Sequence, residues 1–433
     1  MHVVIIGNGI TGITCAINIR KMNSSAEISV VSGESKYFFS RTALMYIYMG
    51  HMKYEHTKPY EDWFWEKNRI DLVQGTVKNI NTEYKVVSLD DSRTLHYDKL
   101  VIASGSIPNK FGWEGENLEG VQGLYSLKDL EEMELNTSNI SEAVIVGGGL
   151  IGIEMAEMLL SRQIKVHFLV RENDYWSNVL PEQEARLVSN HIRQHHINLL
   201  LQTELKEIKG NENGKVKSVV TLAGDEIPCQ LVGLTAGVTP NVGFLSDTDI
   251  QLNRGVLVNN FMETNLADVY AAGDCAEFNN PQPGHPAVEQ LWYTGKMQAE
   301  ALAKTLCGKR TAYQRGIWFN SAKFLDIEYQ TYGMMLPELT EDQDSFYWEH
   351  PAGKAVFRAT YNKYDRTIIG FNFLGIRFRQ ATAEDWIRNK KSVDQCIREL
   401  KAGWFQTELS KPLYKDILNA FLACTDFKPV AVN

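Results

Sequence analysis

The N-terminal part of the chain places a glycine-rich turn between two short apolar runs. Val3 to Ile6 is an apolar run that ends at a glycine, and Ile28 to Val31 is a second strand-like run. Between them, apolar side chains recur at roughly helical spacing, at Ile10, Ile13, Ile17 and Met22. The pattern therefore predicts a strand, a tight turn, a helix and a second strand.

A near repeat of this pattern begins 140 residues downstream, from Gly7 to Gly147. Ala143 to Val146 leads into another glycine turn, which a predicted helix from 153 to 160 and a strand from 165 to 170 follow. Strands that alternate with helices are typical of doubly wound parallel sheets. Two copies predict two such domains.

The remaining signals predict a mixed structure. Thr76 to Leu89 alternates as a strand does, and 97–105 and 268–274 are strands that run into glycines. A helix is predicted from about 288 to 307, stopped by Gly308. The last hundred residues change character and predict two strands around a turn and two helical segments, at 355–361, 367–374, 382–402 and 413–423.

The first glycine turn satisfies the dinucleotide-binding pattern G-x-G-x-x-G. Gly7 permits the tight turn, Gly9 lets a pyrophosphate approach the backbone, and Gly12 lets helix and strand pack closely. The N-terminus of the following helix faces the anion. An acidic residue that binds ribose hydroxyls is expected about 20 residues later, and Glu34 lies just beyond the second strand. This segment is predicted to bind a dinucleotide.

The second glycine turn also lies between a predicted strand and a predicted helix, and its glycines are Gly147, Gly149 and Gly152. Its ribose-binding position is open between two neighbours. Glu172 suits the ribose of NADH, whereas Arg171 suits the 2′-phosphate of NADPH. The choice between the two nucleotides stays open, with a slight preference for NADH.

Five motifs in order resemble the pyridine nucleotide-disulfide oxidoreductase superfamily over roughly residues 1–320. The first is the Gly7–Gly12 turn with Glu34. The second, Ala103-Ser104-Gly105-Ser106-Ile107-Pro108, is similar to the A-T-G-S-x-P turn of the family. The other three are the G-G-G-x-I-G-x-E motif ending at Glu154, the G-V-x-P-N motif beginning at Gly237, and the second FAD motif with Gly273 and Asp274.

This resemblance implies FAD in the first fold, a reduced nicotinamide nucleotide, NAD(P)H, in the second, and particular roles for four side chains. Asp274 is implied to bind the ribityl chain of FAD, and Arg41 to contact its phosphate. Glu154 is implied to lie near the nicotinamide, where an acid in the first helical turn also suits the helix dipole. Trp292 matches an aromatic residue that often lies beside the flavin.

The predicted fold class is accordingly α/β, with two Rossmann-like dinucleotide-binding domains and a C-terminal α+β interface domain. The FAD-binding domain is expected in two parts, 1–110 and 243–320. The NAD(P)-binding domain is expected at 111–242 and the interface domain at 321–433. In the superfamily the last domain also mediates dimerisation, so a monomer or a homodimer is expected.

The six cysteines argue against a thiol relay. They form no close pair and have no zinc-ligand spacing, so no metal site is predicted; they are Cys15, Cys229, Cys275, Cys307, Cys396 and Cys424. The loop from Ser35 to Gly50, where related enzymes carry a single reactive cysteine, contains none. Cys15 is on the first helix without a partner and is interpreted as a core thiol.

The resemblance therefore narrows to the branch that passes electrons outward, as in rubredoxin and ferredoxin reductases and the flavoprotein portion of nitrite reductase. Members of this branch often carry a lysine shortly after the loop that contains the residue matched by Arg41. In this sequence Met45 and Tyr46 lie there, and neither is a lysine. The expected chemistry is hydride transfer from the nicotinamide to the flavin, then electron transfer to a small iron–sulfur protein, with no side chain as a catalytic acid, base or nucleophile. An NADH oxidase that uses oxygen and a non-catalytic NADH-sensing flavoprotein are the alternatives.

Charge and hydropathy limit the partners and the location. A net charge of -9 argues against nucleic acid as a global partner. No apolar run reaches the roughly 18–20 residues that a membrane helix needs, and no signal peptide is visible, so a cytoplasmic protein without a membrane partner is expected. A locally basic stretch has two interpretations, a solvated helix face or a docking site for an acidic partner; it comprises Arg377, Arg379, Arg388, Lys390, Lys391, Arg398 and Lys401.

Overall fold

A computed structural model describes residues 1–282, 284–405 and 411–424. The first part of the N-terminal fold contains eight strands and three helices, namely β1 (His2–Ile6), α1 (Ile10–Met22), β2 (Glu27–Ser32), α2 (Leu44–Tyr48), α3 (Trp63–Lys67), β3 (Asp71–Gln74), β4 (Val77–Asn81), β5 (Val86–Leu89), β6 (Thr94–His96), β7 (Lys99–Ile102) and β8 (Ser106–Pro108). The stretch predicted as strand-like from Thr76 to Leu89 is thus a hairpin of β4 and β5, which β6 extends.

The second fold follows with nine strands and three helices, namely β9 (Val121–Gln122), α4 (Leu127–Asn136), β10 (Glu142–Val146), α5 (Leu150–Ser161), β11 (Lys165–Val170), α6 (Glu182–Gln194), β12 (Asn198–Leu201), β13 (Leu205–Gly210), β14 (Val216–Thr221), β15 (Glu226–Pro228), β16 (Leu231–Leu234) and β17 (Val238–Pro240). The chain then returns to the first fold through β18 (Val256–Val258), β19 (Val269–Ala271), β20 (Ala276–Phe278) and α7 (Trp292–Leu306).

Two five-stranded parallel sheets organise these folds. The first sheet has the order β19-β7-β1-β2-β3 and the second the order β12-β11-β10-β16-β9. In the first sheet the chain adds strands to one side of β1 and later to the other side. In the second sheet it does the same around β10, and β9 lies at the edge. Ligands of such sheets bind at this switch point, outside the carboxyl ends of the strands. The two glycine turns follow β1 and β10, and therefore lie at the two switch points.

The C-terminal fold consists of an antiparallel sheet with helices, which are β21 (Phe319–Phe324), β22 (Ile327–Gly333), β23 (Gln343–Glu349), β24 (Val356–Asn362), β25 (Ile368–Leu374), α8 (Gln380–Arg388), α9 (Val393–Arg398) and α10 (Tyr414–Cys424). The C-terminal sheet has the order β21-β22-β25-β24-β23. Many of its buried side chains form an aromatic-rich core with those of the helices. Others pack into the core of the second fold, namely Phe324, Ile327, Tyr329, Val356 and Leu374. The predicted fold class, including the C-terminal α+β part, is confirmed.

Two helix predictions differ from the structure in detail. The helix predicted from about 288 begins at Trp292. The continuous helix predicted from 382 to 402 is wrong, because α8 ends at Arg388, and α9 and a 3₁₀ turn at Leu400–Ala402 follow it. Lys390 adopts a left-handed conformation with φ of 51°, and the Ser392 hydroxyl accepts a hydrogen bond from the Gln395 amide. These two features end one helix and cap the next.

Candidate dinucleotide-binding sites

The first glycine turn has two closely packed glycines and one that borders open space. A Cβ at Gly7, where φ is +111°, would lie 2.1 Å from the Ala103 carbonyl oxygen. A Cβ at Gly12 would lie 1.9 Å from the carbonyl oxygen of Gly7, whereas a Cβ at Gly9 has no heavy atom within 4 Å. Neighbouring backbone atoms thus leave no room for a side chain at Gly7 and Gly12. The backbone at Gly9 is open, on the side where a pyrophosphate would approach the N-terminus of α1.

The second glycine turn repeats this arrangement. A Cβ at Gly147, where φ is +116°, would lie 2.8 Å from the Ala236 backbone, and one at Gly152 would lie 2.5 Å from the Gly147 oxygen. At Gly149 the nearest atom is the Thr235 oxygen at 3.9 Å. In both turns the backbone is therefore open at the second glycine, where the pyrophosphate of a dinucleotide would bind. We call each of these two openings, at Gly9 and at Gly149, a glycine cradle.

Glu34 and Arg41, which the sequence predicts to contact FAD, are brought together by the structure. Arg41 donates to both carboxylate oxygens of Glu34, with Nη1–Oε1 and Nη2–Oε2 distances of 2.9 and 2.5 Å. The same Glu34 oxygen Oε1 accepts the Leu127 amide at 2.8 Å, at the start of α4. The pair therefore links the loop that carries Arg41 to the second fold and holds both side chains at the edge of the first glycine turn's site.

The predicted loop Ala103 to Gly105 is one of two connections between the folds. The Ser104 hydroxyl donates to the Asn241 carbonyl at 2.7 Å, and the Asn241 amide donates to the Gly105 carbonyl at 2.9 Å. Just beyond them, β8 pairs with β17 in antiparallel register. Gly105 and Gly237 have φ of 72° and 91°, so both turns need the left-handed conformation. The two connections are thus locked to each other.

Asp274 ends the strand-into-glycine motif of β19 and faces a small polar group. Its Oδ2 accepts the Ser106 hydroxyl at 3.2 Å and lies 3.5 Å from the Tyr125 hydroxyl. Gln290 donates in turn to Ser106 at 2.9 Å. Burial raises the pKa of Asp274, and the hydrogen bond from Ser106 opposes the shift. Such a carboxylate is suited to accept hydrogen bonds from ligand hydroxyls.

Gly273 lets the backbone of this motif approach α1. Its φ is +80°, and a Cβ there would lie 2.5 Å from the Thr11 hydroxyl oxygen. A Cβ at Gly295 in α7 would meet the same Thr11 oxygen at 2.6 Å. The close packing of α1, α7 and the Gly273 turn positions Asp274 beside the first glycine turn.

Glu154 lies in α5, directly after the second glycine turn, with Glu157 one helical turn further on. Burial and then repulsion by the Glu157 carboxylate raise the pKa of Glu154 to about 7, while Lys323 acts in the opposite direction. Tyr175 donates its hydroxyl hydrogen to the Gly149 carbonyl at 2.9 Å, which fixes the turn nearby. The structure thus places a carboxyl group whose pKa is raised to about 7 beside the second glycine turn.

Arg171 and Glu172 follow β11 and form an ion pair with each other. The distance from Arg171 Nε to Glu172 Oε1 is 2.8 Å, and the Arg171 side chain is 72% exposed, against 21% for Glu172. A Cβ at Gly148 would lie 3.5 Å from Glu172 Oε2. The carboxylate therefore lies against the glycine turn, while the guanidinium extends into solvent.

Trp292 is the first residue of α7 and is 38% exposed. It makes an edge contact with the Tyr293 ring at 5.4 Å between centroids, and Lys296 lies over it at 5.6 Å. It follows Gln290, which bonds Ser106, so Trp292 belongs to the same end of the first fold as Asp274.

Thiols near the first site are buried. Cys15 in α1 and Cys275 next to Asp274 are both 0% exposed. Burial raises the pKa of the Cys15 thiol far above its ordinary value, and proximity to Cys307 adds to the shift. The interpretation of Cys15 as an inert core thiol agrees with this environment.

Several residues of the two sites carry no recognisable signal in the sequence. Tyr125 and Gln290 reach the Asp274 group from outside any motif. Lys323 enters the Glu154 region from β21, with its Nζ 2.6 Å from the Glu157 carboxylate. Among these four residues, only Ser106 belongs to a sequence motif, the turn from Ala103 to Pro108.

Three of the seven residues of the basic stretch near the C-terminus form ion pairs. Arg377 pairs with Glu328, Arg388 with Glu384 and Lys391 with Glu399. These three pairs neutralise part of the local charge, and the solvated helix face and the docking site both stay predictions. None of the described helices is long and apolar enough to span a membrane.

A family model described as pyridine nucleotide-disulphide oxidoreductase matches residues 1–296. The chain belongs to this family. The family binds FAD and NAD(P)H, and the cradles around Gly9 and Gly149 fit such dinucleotides. The predictions of the family and of the cofactor pair are confirmed.

Comparison of this sequence with those of known proteins also identifies similar individual proteins. The chain is 31% identical over 310 residues to the assimilatory nitrate reductase electron transfer subunit of Bacillus subtilis (strain 168), covering 71% of this chain and 39% of that protein. It is 27% identical over 313 residues to rubredoxin-NAD(+) reductase of Ectopseudomonas oleovorans, covering 72% and 81%. The aligned region spans about two fifths of the length of the first two curated relatives, at 39% and 40%.

The solved structure of a NAD-dependent persulfide reductase from A. fulgidus has the same fold. It superposes with a TM-score of 0.83 at 23% sequence identity and covers 98% of this chain and 83% of that chain. At this identity the similarity concerns the fold, and its coverage includes the C-terminal sheet.

Proposed function

We propose that this protein oxidises NADH through bound FAD and passes the electrons to a small iron–sulfur protein, without a redox-active cysteine. The observation that carries the proposal is the combination of two open glycine cradles with buried thiols at the first site. A rubredoxin-NAD(+) reductase and an electron transfer subunit of nitrate reductase are among its relatives, which supports an external acceptor of this class.

The first fold is proposed to hold FAD. Gly7, Gly9 and Gly12 with the N-terminus of α1 would bind the pyrophosphate, and Asp274 would bind the ribityl hydroxyls. Glu34 and Arg41 would border the adenosine and phosphate end, where their ion pair fixes both side chains. The remaining FAD contacts are assigned to the backbone of Ala103, Ser104, Gly105, Gly237 and Gly273, and to Trp292.

The second fold is proposed to hold the nicotinamide nucleotide, with Gly147, Gly149 and Gly152 at its pyrophosphate. Glu172 would accept hydrogen bonds from the adenosine ribose, because its carboxylate lies against the turn while Arg171 extends away. This geometry supports NADH as the preferred nucleotide. Glu154 would lie beside the nicotinamide.

When bound, FAD supplies the ability to accept a hydride and to release electrons singly. The chain's own residues position the two dinucleotides and control charge beside them. An ionised Glu154 would stabilise positive charge that develops on the nicotinamide ring, and burial keeps its pKa near 7. The buried thiols leave no accessible sulfur at the described first site to divert the electrons.

The domain limits predicted from the sequence are kept in this proposal. Residues 1–110 and 243–320 would form the FAD-binding domain, 111–242 the nucleotide domain and 321–433 the interface domain. A cytoplasmic location and a monomeric or homodimeric state also stay predictions.

Anaerobic stopped-flow spectroscopy tests the proposal. The purified protein should carry a flavin spectrum that NADH bleaches, and the reduced protein should be reoxidised rapidly by oxidised rubredoxin or ferredoxin and slowly by oxygen. Rapid reoxidation by oxygen would instead identify an oxidase, and a persistent charge-transfer complex would identify a sensor. The Cys15→Ala variant should retain the reductase rates, and loss of acceptor reduction in a folded, flavin-containing variant would contradict the thiol-independent route.

A further inference from the structure

Two histidines at the end of α6 face the C-terminal sheet. His195 is the fourth residue after His191, so the two lie about one helical turn apart on the same face. Their ring centroids are 4.6 Å apart. The side chain of His191 is 1% exposed and that of His195 is 36% exposed, so one ring is buried and the other borders solvent.

A carboxylate from the C-terminal sheet meets both rings. Asp326 lies in the tight turn between β21 and β22, where the preceding Leu325 has φ of 57°. Its Oδ1 lies 2.5 Å from Nε2 of His191 and 3.0 Å from Nε2 of His195. All three atoms lie within 4.8 Å of one another. The group therefore joins the second fold to the C-terminal sheet at a single point.

Two imidazole nitrogens and one carboxylate oxygen are a common donor set for divalent transition metals, above all Zn²⁺. With metal–ligand bonds of about 2.0–2.2 Å, tetrahedral ligands lie roughly 3.3 Å apart. The observed distances from Asp326 to the histidines would thus have to lengthen by less than about 1 Å. Because Asp326 is 50% exposed, ions can enter from solvent and water can complete the coordination.

His191 presents its Nε2 atom to Asp326. Its Nδ1 is buried and has no hydrogen-bond partner among the described residues, so its polar interactions are concentrated on the Nε2 side. Lys354 opposes binding, since its Nζ lies 3.0 Å from the other Asp326 oxygen.

We propose that His191, His195 and Asp326 form a binding site for a divalent transition-metal ion of the Zn²⁺ type, which fastens α6 to the C-terminal sheet. The site lies outside the two glycine cradles and does not depend on the flavin chemistry. Its effect is on the stability of the junction between the second fold and the C-terminal sheet, because an ion that binds the folded state stabilises it by mass action.

Metal binding by the flavin-containing full chain tests this site. After treatment with a chelator, the protein is titrated with Zn²⁺ by calorimetry and with Co²⁺ by visible absorption, which reports tetrahedral coordination. One equivalent should bind at pH 7.5, and Zn²⁺ should raise the melting temperature. Absence of Zn²⁺ and Co²⁺ binding by the wild type would overturn the proposal.

Three variants locate the ion. His195→Asn should lower the affinity by at least about 10-fold, the smallest loss expected even for an outer-shell partner of a metal site. Lys354→Met should raise the affinity, because it removes a competing cation from Asp326. The matched control is His196→Asn, since His196 is an exposed neighbour outside the cluster. Equal affinities of wild type and His195→Asn would assign the ion to another site and refute this one.

Flavin absorbance separates this proposal from the proposed function. A folded protein that binds Zn²⁺ at these residues but shows no NADH oxidation would contradict only the reductase assignment. A competent reductase without the metal response would contradict only the metal site. Circular dichroism of His195→Asn verifies that the variant is folded, as expected for a side chain that borders solvent.

Discussion

Lys323 in β21 forms an ion pair with Glu157 in α5, with 2.6 Å between Nζ and the carboxylate oxygen Oε1. Glu157 lies one turn after Glu154, and the charge of Lys323 also lowers the pKa of Glu154 against the raising effects of burial and Glu157. The C-terminal sheet therefore contributes a cation to the proposed nicotinamide site. Electrostatic control of that site depends on contact between two folds that are distant in sequence.

Replacement of Glu154 by Gln should remove a pH dependence from flavin reduction. In the wild type, the rate of reduction by NADH should rise with pH through a midpoint near 7, where Glu154 ionises. The carboxylate would stabilise the developing nicotinamide cation, and its loss should lower the rate at pH 8 by about tenfold, equivalent to about 1.4 kcal/mol. Stopped-flow traces from pH 6 to 8.5 measure this.

The matched control is Glu131→Gln, which changes an exposed glutamate of α4. This variant should retain the wild-type profile. A Glu154→Gln enzyme with an unchanged midpoint near 7 would assign the titration to another group.

Replacement of Lys323 by Met should move the same midpoint upward. The lysine lowers the pKa of Glu154, so its removal leaves burial and Glu157 less opposed. The rate at pH 7 should fall while the high-pH plateau is kept. Lys363→Met, which changes an exposed lysine of the C-terminal fold, is the control. A downward shift of the midpoint would refute the proposed electrostatic role.

Alanine at the second glycine of each turn should separate ligand binding from folding. A Cβ at Gly9 meets no atom within 4 Å, so Gly9→Ala should fold with nearly unchanged stability yet lose FAD. Gly149→Ala should keep FAD but bind NADH weakly. Gly12→Ala should fail to fold, because its Cβ would lie 1.9 Å from the Gly7 oxygen. Flavin absorbance, NADH titration and thermal unfolding distinguish these outcomes, and full FAD occupancy in Gly9→Ala would contradict the proposed cradle.

The glycine turns were predictable because their requirements are local. Gly7 and Gly147 need a positive φ, and Gly12 and Gly152 need close backbone contact, so each restriction is visible in a short motif. The topology of two parallel sheets followed from repeated strand and helix patterns. The fold could therefore be predicted over most of the first two domains.

Partners from distant segments were not predictable in the same way. Lys323 and Glu157 are 166 residues apart, and Asp326 is 131 residues from His195. The spacing of His191 and His195 on a helix was visible, but a third ligand becomes apparent only when the C-terminal sheet packs against α6. A single sequence carries no record of such contacts, because they depend on how the folds are joined.

Replacement of Glu172 by Ala should reduce the preference for NADH. Its carboxylate lies beside the second glycine turn, and a charged hydrogen bond to ribose is worth about 1.5–3 kcal/mol. The kcat/KM for NADH should therefore fall by about 10-fold or more, with little change for NADPH. The control is Glu212→Ala, in an exposed loop. Equal losses for both nucleotides would show that Glu172 does not discriminate at the ribose.

A buried ion pair joins the second fold to the C-terminal sheet. Arg358 in β24 donates to both oxygens of Glu184 in α6, at 2.6 and 2.8 Å, and the Glu184 side chain is 0% exposed. Arg358→Met should lower the free energy of unfolding by about 3–5 kcal/mol, because it leaves a buried carboxylate uncompensated. Chemical denaturation of the flavin-containing protein measures the loss.

Two further variants test whether the uncompensated charge is the cause. The double variant Glu184→Met, Arg358→Met should recover at least half of the lost stability, because both charges are then absent and the site is filled by apolar side chains. Arg388→Met, which breaks an exposed pair with Glu384, should cost less than about 1 kcal/mol. A double variant as unstable as Arg358→Met would show instead that the packing of the arginine side chain, rather than its charge, holds this junction together.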